Sequence, residues 1–237
     1  MEAVLQPAPL AGEHEDWLHR LGLSLSASKW SESLQGIVGK LALNTPLDLE
    51  DGVVLFNHPD LHELGALANA VREARFGRQA FFNSNVHINQ TNICVLACRF
   101  CAFRRGPKAD DAYAMSVDEY VADLAQYAHA VDEVHSVGGL HPEWGVEHYE
   151  SLFRRVSDEH PHVSIKALTA VEIKHLAQRS SISTLDVLKR LRQAGLVSLP
   201  GGGAEILDDG VRAVICNGKE SSEAVSYTHL RAHETNG

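Results

Sequence analysis

Apolar residues recur along this chain in two rhythms, and the change from one to the other falls near residue 80. Before it the spacing is helical. Trp17, Leu18, Leu21 and Leu23 form a short apolar face, and Leu61, Leu64, Leu67, Ala68 and Val71 recur three and four apart. Residues 1–80 are therefore expected to be a helical lead-in. From Phe81 onward, short apolar or alternating runs are each followed by an amphipathic stretch. Val86-His87-Ile88, Glu133 to Val137, Val163 to Leu168 and Leu196 to Leu199 read as strands. Between them, Ser116 with Glu119 three residues on marks a capping box for a helix to about Ala130. A second helix runs from about Glu147 to Glu159, and a later helical region breaks near Ser180-Ser181 and restarts at Ser183 and Asp186.

Strands separated by helices imply a parallel sheet, because a parallel pair needs a long crossover connection. About four strand–helix units are visible, against the eight of a closed (β/α)₈ barrel. The expected fold class is α/β: a (β/α) barrel of the TIM-barrel type over residues 81–219, incomplete in this chain, with 220–237 as a tail. The last dozen residues, Ser226 to Gly237, show neither rhythm and no stop signal. They resemble translated vector sequence appended to a truncated reading frame, and the end is expected to be non-native.

Charge and composition narrow the partners. With 21 Lys and Arg against 31 Asp and Glu, the net charge of −10 repels phosphate backbones, so no nucleic acid is expected. A hydrophobic content of 44% with 22% charged residues is ordinary for a globular chain. No apolar run approaches the roughly 20 residues of a membrane span, so no membrane partner is expected. The opening stretch from Met1 to Trp17 is acidic and lacks a secretory signal, which leads to the expectation of a cytoplasmic protein. In that compartment the four cysteines are not a disulfide scaffold. Three of them crowd together while Cys216 stands alone after Ile215, and such a cluster points to metal or redox chemistry.

The cluster is Cys94-x-x-x-Cys98-x-x-Cys101, directly after the first strand. Thiolates select zinc, copper(I) or iron–sulfur clusters. A structural zinc site closes its tetrahedron with four protein ligands, so three cysteines leave a corner open for a substrate. Two other readings stay open on the residues alone: a Cys₃His zinc site closed by His141, which would make the chain a zinc-stabilised binding module, and three inert buried thiols. Phe100 and Phe103 supply apolar area beside the site, and a dry surround tunes a metal centre. Asn89-Gln90-Thr91 matches a glycosylation sequon, which a cytoplasmic setting makes a coincidence. Gly201-Gly202-Gly203 is no dinucleotide fingerprint, because Ile206 stands where the last glycine would be.

The stretch from Asn89 to Arg105 resembles the menaquinone and deazaflavin branch of the radical S-adenosylmethionine (SAM) superfamily. Three further segments resemble the aminofutalosine synthase family within it: Gly138 to Glu143, Lys166 to Ile173, and Leu199 to Ile206. The dehypoxanthine futalosine cyclases and F₀ synthase subunits are the related alternatives. The resemblance implies a radical SAM (β/α) barrel and a [4Fe-4S] cluster held by Cys94, Cys98 and Cys101, with the fourth iron taking the amino and carboxylate groups of SAM. It implies that SAM is cleaved to methionine and a 5′-deoxyadenosyl radical. That radical adds to the enol-ether double bond of 3-[(1-carboxyvinyl)oxy]benzoate and yields aminodeoxyfutalosine, with loss of carbon dioxide or bicarbonate, in menaquinone biosynthesis. An electron donor such as flavodoxin or ferredoxin is implied as a partner.

Carried onto this sequence, the resemblance gives Phe100 an adenine-packing role and brings Gly138 and Gly139 to the methionine amino group. His141 and Glu143 are candidates for action on a substrate carboxylate or a proton, and Lys166 for a carboxylate counter-ion. Thr169 and Glu172 start the next helix, where a cap and an acid are favoured in any case, and are candidates for cofactor binding. Glu205, beside the glycine run, is available to a ribose hydroxyl.

Overall fold

The computed structural model describes residues 16–234 and divides them into two compact units, one ending at Phe82 and the other beginning at Asn83. The acidic stretch 1–15 and residues 235–237 lie outside the described residues.

The first unit is helical: α1 (Trp17–Ala27), a 3₁₀ turn (Glu32–Leu34), α2 (Gln35–Ala42), α3 (Leu49–Phe56) and α4 (Leu61–Phe76). Its core is Leu21 and Leu25 of α1, Leu34, Ile37 of α2, and Leu67, Ala70 and Ala74 of α4. The apolar face differs from the one expected. Leu23 and Leu61 are exposed, while Leu25 and Ala74 point inward. Residues four apart share a helix face and residues two apart do not, so Leu21 pairs with Leu25 and excludes Leu23. Asp60 caps α4, its carboxylate accepting from the backbone N–H of His62 at 2.8 Å. Leu61 thereby becomes an exposed first residue.

The second unit is a four-stranded parallel sheet in the order β1 (Asn85–His87), β2 (Glu133–Ser136), β3 (Ser164–Ala167), β4 (Leu196–Ser198). The crossovers carry α5 (Val117–Ala125), α6 (Val146–Glu159), α7 (Ala170–Ser180) and α8 (Thr184–Gln193), and α9 (Asp209–Ile215) and α10 (Ser222–Glu234) follow. This is the parallel α/β sheet of a partial barrel, as the alternation of the sequence implies. The registered positions Val86, Val134, Ile165 and Leu196 all pack into one core with Leu124, Leu152, Phe153, Ile173, Leu188 and Leu191 from the helices. The next row of the sheet, His87, His135 and Lys166, belongs to the other face, and the pairing of β3 with β4 shifts register after Ile165.

Helix starts follow the local chemistry. Ser116 and Glu119 close a reciprocal capping box on α5, and Thr169 and Glu172 do the same on α7. Ser183 accepts from the backbone N–H of Asp186 at 3.0 Å. The first crossover helix stops at Ala125 and passes into a 3₁₀ turn at Ala128–Ala130, short of the single helix expected to about Ala130. The expected tail needs a larger correction, since Ser222–Glu234 is a helix packed on α7 and α8 with Val225 and Thr228 buried. Its apolar stripe is too narrow to read from sequence, and docking supplies the stability that periodicity does not.

Candidate active site

The strands run parallel, so their C-terminal ends share one edge of the sheet, where ligands of open α/β sheets bind. The segments leaving the four strands converge there on a pocket of about 510 Å³. Asn89 and the cysteine loop come from β1, Val137 and Gly138 from β2, Thr169, Val171 and Glu172 from β3, and Gly202, Gly203 and Glu205 from β4. Cys94, Cys98 and Cys101 all line it, together with Phe100 and Phe103.

The cysteine loop is held by the residues before it. Gln90, Thr91 and Asn92, near the start of the stretch that carries the resemblance, are buried. The Asn92 side chain accepts from the backbone N–H of Tyr113 at 2.8 Å and donates to the carbonyl of Asp111 at 2.8 Å. The N–H of Arg105 donates to the Asn92 carbonyl at 2.7 Å, and that of Cys94 to the Arg105 carbonyl at 3.1 Å. Both ends of the loop are thereby tied together. Its middle is tied to α9, because the N–H of Arg99 donates to the Ile215 carbonyl at 2.8 Å.

Gly139 locks the loop to β2. Its N–H donates to the Thr91 carbonyl at 2.9 Å, and the Val95 N–H donates to the Leu140 carbonyl at 3.0 Å. A Cβ at Gly139 would fall 2.1 Å from the Ile93 carbonyl oxygen and 3.0 Å from the Cys94 Cβ. Only glycine permits this approach. Gly139 does not itself line the pocket, whereas Gly138 does. The Gly138 N–H is already committed, donating to Glu172 Oε1 at 2.9 Å. The other oxygen of Glu172 accepts from the N–H and hydroxyl of Thr169 at 2.7 and 2.8 Å. Burial pushes the Glu172 carboxyl up to about 7, against the lowering effect of these donors. Thr169 and Glu172 thus brace the pocket wall through a helix cap. Beneath them the buried Gln90 accepts from Ser136 Oγ at 2.7 Å and donates to Tyr149 Oη at 3.1 Å.

On the far wall Gly203 adopts φ 92°, and its carbonyl accepts from Arg212 Nη1 at 2.8 Å. Glu205 pairs with Lys219, a pocket residue that carries no signal in the sequence. Lys219 Nζ stands 5.4 Å from the Phe100 ring centroid. Burial raises the Cys98 thiol and the nearby Lys219 charge opposes that rise. Lys219 is far from the cysteines in sequence, and no local pattern connects them. Cys216 is a buried residue at the end of α9 and does not line the pocket.

Besides Gly139, three expected residues are not brought to the pocket. The His141 ring stacks on Trp144 at 4.3 Å, and its Nδ1 accepts from the Glu143 N–H at 3.2 Å. It lines a separate small cavity beside Trp144 and His175, and Glu143 is exposed. Lys166 lies on the sheet face, its Nζ 3.9 Å from Glu133 Oε1. A zinc site closed by His141 therefore has no geometric support, and among the described residues no three His, Cys, Asp or Glu side chains are grouped as a single-ion site. A four-iron cluster spreads its corners, so three thiols around one pocket suit it where they do not suit one ion. The donor set, with no fourth thiol on the lining, fits a cluster with one open corner.

A model of the radical SAM superfamily matches residues 88–236. The aminodeoxyfutalosine synthase of Thermus thermophilus is 39% identical over 199 residues, which are 84% of this chain and 54% of that protein. The cyclic dehypoxanthine futalosine synthase of Streptomyces coelicolor is 35% identical over 195 residues, 80% of this chain and 49% of that protein. The chain spans about half the length of the curated relatives it matches. Among solved structures, that of HydG, a maturase of the [FeFe]-hydrogenase, superimposes with a TM-score of 0.65 at 14% identity over 93% of this chain and 48% of that one. With the cysteine pocket at the strand ends and a family model covering most of the sheet unit, the chain belongs to the radical SAM superfamily, whose members use a [4Fe-4S] cluster and SAM.

Proposed function

We propose that the chain acts as an aminodeoxyfutalosine synthase of menaquinone biosynthesis. The adenosyl group of SAM is joined to 3-[(1-carboxyvinyl)oxy]benzoate, and the substrate's carboxylate leaves as carbon dioxide or bicarbonate. The observation that carries the reaction class is the pocket of three thiols walled by all four strand ends. The choice of substrate rests on the extent of the match, 199 residues at 39% identity to an aminodeoxyfutalosine synthase, against 178 residues at 42% to an FO synthase and 195 residues at 35% to the cyclic dehypoxanthine futalosine synthase.

Cys94, Cys98 and Cys101 would hold a [4Fe-4S] cluster, and the pocket they line would take SAM beside it. The cluster, when bound, supplies the single electron that breaks SAM into methionine and a 5′-deoxyadenosyl fragment. Everything else falls to the protein, which must orient that fragment and keep water and other hydrogen donors away from it. Leu96, Phe100, Val137, Leu140 and Val171 give the pocket its apolar walls. Phe100 packs on adenine, Glu205 reaches a ribose hydroxyl, and Thr169 and Glu172 hold Gly138 at the methionine end. Lys166 acts as counter-ion to a substrate carboxylate. Flavodoxin or ferredoxin would deliver the electron, in a cytoplasm that keeps the thiols reduced.

The test is anaerobic incubation of the iron–sulfur-reconstituted 237-residue chain with dithionite, SAM and the enol-ether benzoate, read by mass spectrometry. An adenosylated, decarboxylated adduct is expected. Formation of 5′-deoxyadenosine alone would remove the substrate assignment while leaving SAM cleavage in place.

A further inference from the structure

Parallel sheets are covered on both faces, and their strands are normally apolar on both. Across β1 to β3 this sheet is apolar on one face only. Toward the helices lie Val86, Val134, Ile165 and Leu196. The other face carries Asn85 and His87 on β1, Glu133 and His135 on β2, and Ser164 and Lys166 on β3. Within it one row is chemically distinct. His87, His135 and Lys166 are register partners on three adjacent strands.

The two imidazoles are stacked, with ring centroids 4.8 Å apart and an interplanar angle of 18°. Each ring of such a pair covers one face of the other, and the pair offers a ligand its ring edges and its two outer faces. Lys166 is one strand further on and about a third exposed, and among the described residues its ion-pair partner is the diagonal Glu133 at 3.9 Å. That distance is too long for a hydrogen bond, so the ammonium keeps donors for a second anion. Strands lie about 4.8 Å apart, which makes the row roughly 10 Å long from His87 to Lys166. His87 also lines the cysteine pocket, as does Asn89 two residues beyond it in the segment that leaves β1. The row is therefore a continuation of that pocket across the sheet face.

We infer that His87, His135 and Lys166 form a binding subsite for an aromatic carboxylate, with the ring against the imidazole pair and the carboxylate on Lys166 Nζ. Resting on the proposed function, this row takes the benzoate end of the substrate and leaves its enol-ether end toward the cysteine pocket. Apolar contact on the imidazoles and one charge-assisted pair on lysine are the two interactions such a ligand needs. Glu133, held by the Asn83 side-chain amide at 3.4 Å, repels a carboxylate placed deeper along the strands. It thereby sets how far the ligand can slide away from the pocket.

The experiment measures equilibrium binding of 3-[(1-carboxyvinyl)oxy]benzoate and of 3-methoxybenzoate to the full chain, alongside SAM binding and adduct formation. The wild type is compared with Lys166→Met, Lys166→Arg and His135→Ala. Loss of a charge-assisted pair is worth about 1.5–3 kcal/mol, or roughly tenfold to a hundredfold in affinity. Lys166→Met is expected to weaken both benzoates by that factor and to leave SAM affinity unchanged, with Lys166→Arg recovering part of the loss. His135→Ala weakens them less and alike, since it removes apolar contact from one ring and leaves the charge on Lys166 in place. Wild-type binding that Lys166→Met abolishes, in a chain that forms no adduct, would sustain the subsite and remove the proposed reaction. Adduct formation with benzoate affinity unaltered in Lys166→Met would do the reverse. A wild type that binds neither benzoate overturns the subsite.

Discussion

Replacing Gly139 with alanine would force the end of β2 away from the Cys94 loop, since the new methyl has backbone rather than a movable side chain in its way. Overpacking of this kind costs about 1–3 kcal/mol. The expected outcome is a fall of that size in unfolding free energy and a lower iron content after anaerobic reconstitution. Gly65→Ala is the control: a methyl there meets nothing within 4 Å inside α4, and helix propensity predicts a gain of up to about 1 kcal/mol. Equal behaviour of the two variants in denaturation would remove the close-approach argument. Glu172 gives a prediction in pH. Its folded-state value is raised to about 7 from an ordinary 4.5, so the folded chain holds a proton that the unfolded chain releases between those values. The stability tied to that proton is fully present below pH 4.5 and is lost as pH rises through 7. Glu172→Gln removes the titration and leaves one of the donors at Gly138 or Thr169 without an acceptor. Urea unfolding at about pH 5 and about pH 8 should show a gap between wild type and variant that narrows at the higher pH; a constant gap would contradict the raised value.

At the level of elements, α10 is the case where packing overrules local pattern. Its first and second turns bury Val225 and Thr228 on α7 and α8, and Val225 also lies beside Gly203, where a Cβ would stand 3.6 Å from its Cγ2. The helix therefore backs the glycine segment of the pocket. Val225→Asp would place an unpaired charge in that contact and is expected to destabilise the sheet unit by about 3 kcal/mol or more, measured by chemical denaturation. An unchanged midpoint would mean that α10 is not docked. The elements legible in the sequence were those with strong local signals. Ser116 with Glu119 and Ser183 with Asp186 mark real helix starts, and the alternation around Val134 and Ile165 marks real strands. Where the signal was tertiary, as for α10 or the inward side of α1, the one-dimensional pattern had nothing to report.

For the whole molecule, the same division separates the parts of the pocket. Cys94, Cys98 and Cys101 are near neighbours along the chain, so their spacing alone makes their shared chemistry legible. The residues that frame them are not so placed. Gln90, Thr91 and Asn92 look like an ordinary polar run until their side chains are seen buried against Tyr113, Ser136 and Tyr149. Lys219 reaches Phe100 and Glu205 only because the segment after α9 returns to the cysteine loop. Gly138 and Gly139 look equivalent in the sequence, yet one faces the pocket and the other is jammed against Ile93. Glu172 joins these levels, since one carboxylate accepts from the end of β2 and from the start of α7. Neither amide can be freed without disturbing the acceptor of the other. Local breathing at the lip of the pocket is therefore expected as a single shared opening, in which the strand end and the first helical turn exchange their protons with solvent together.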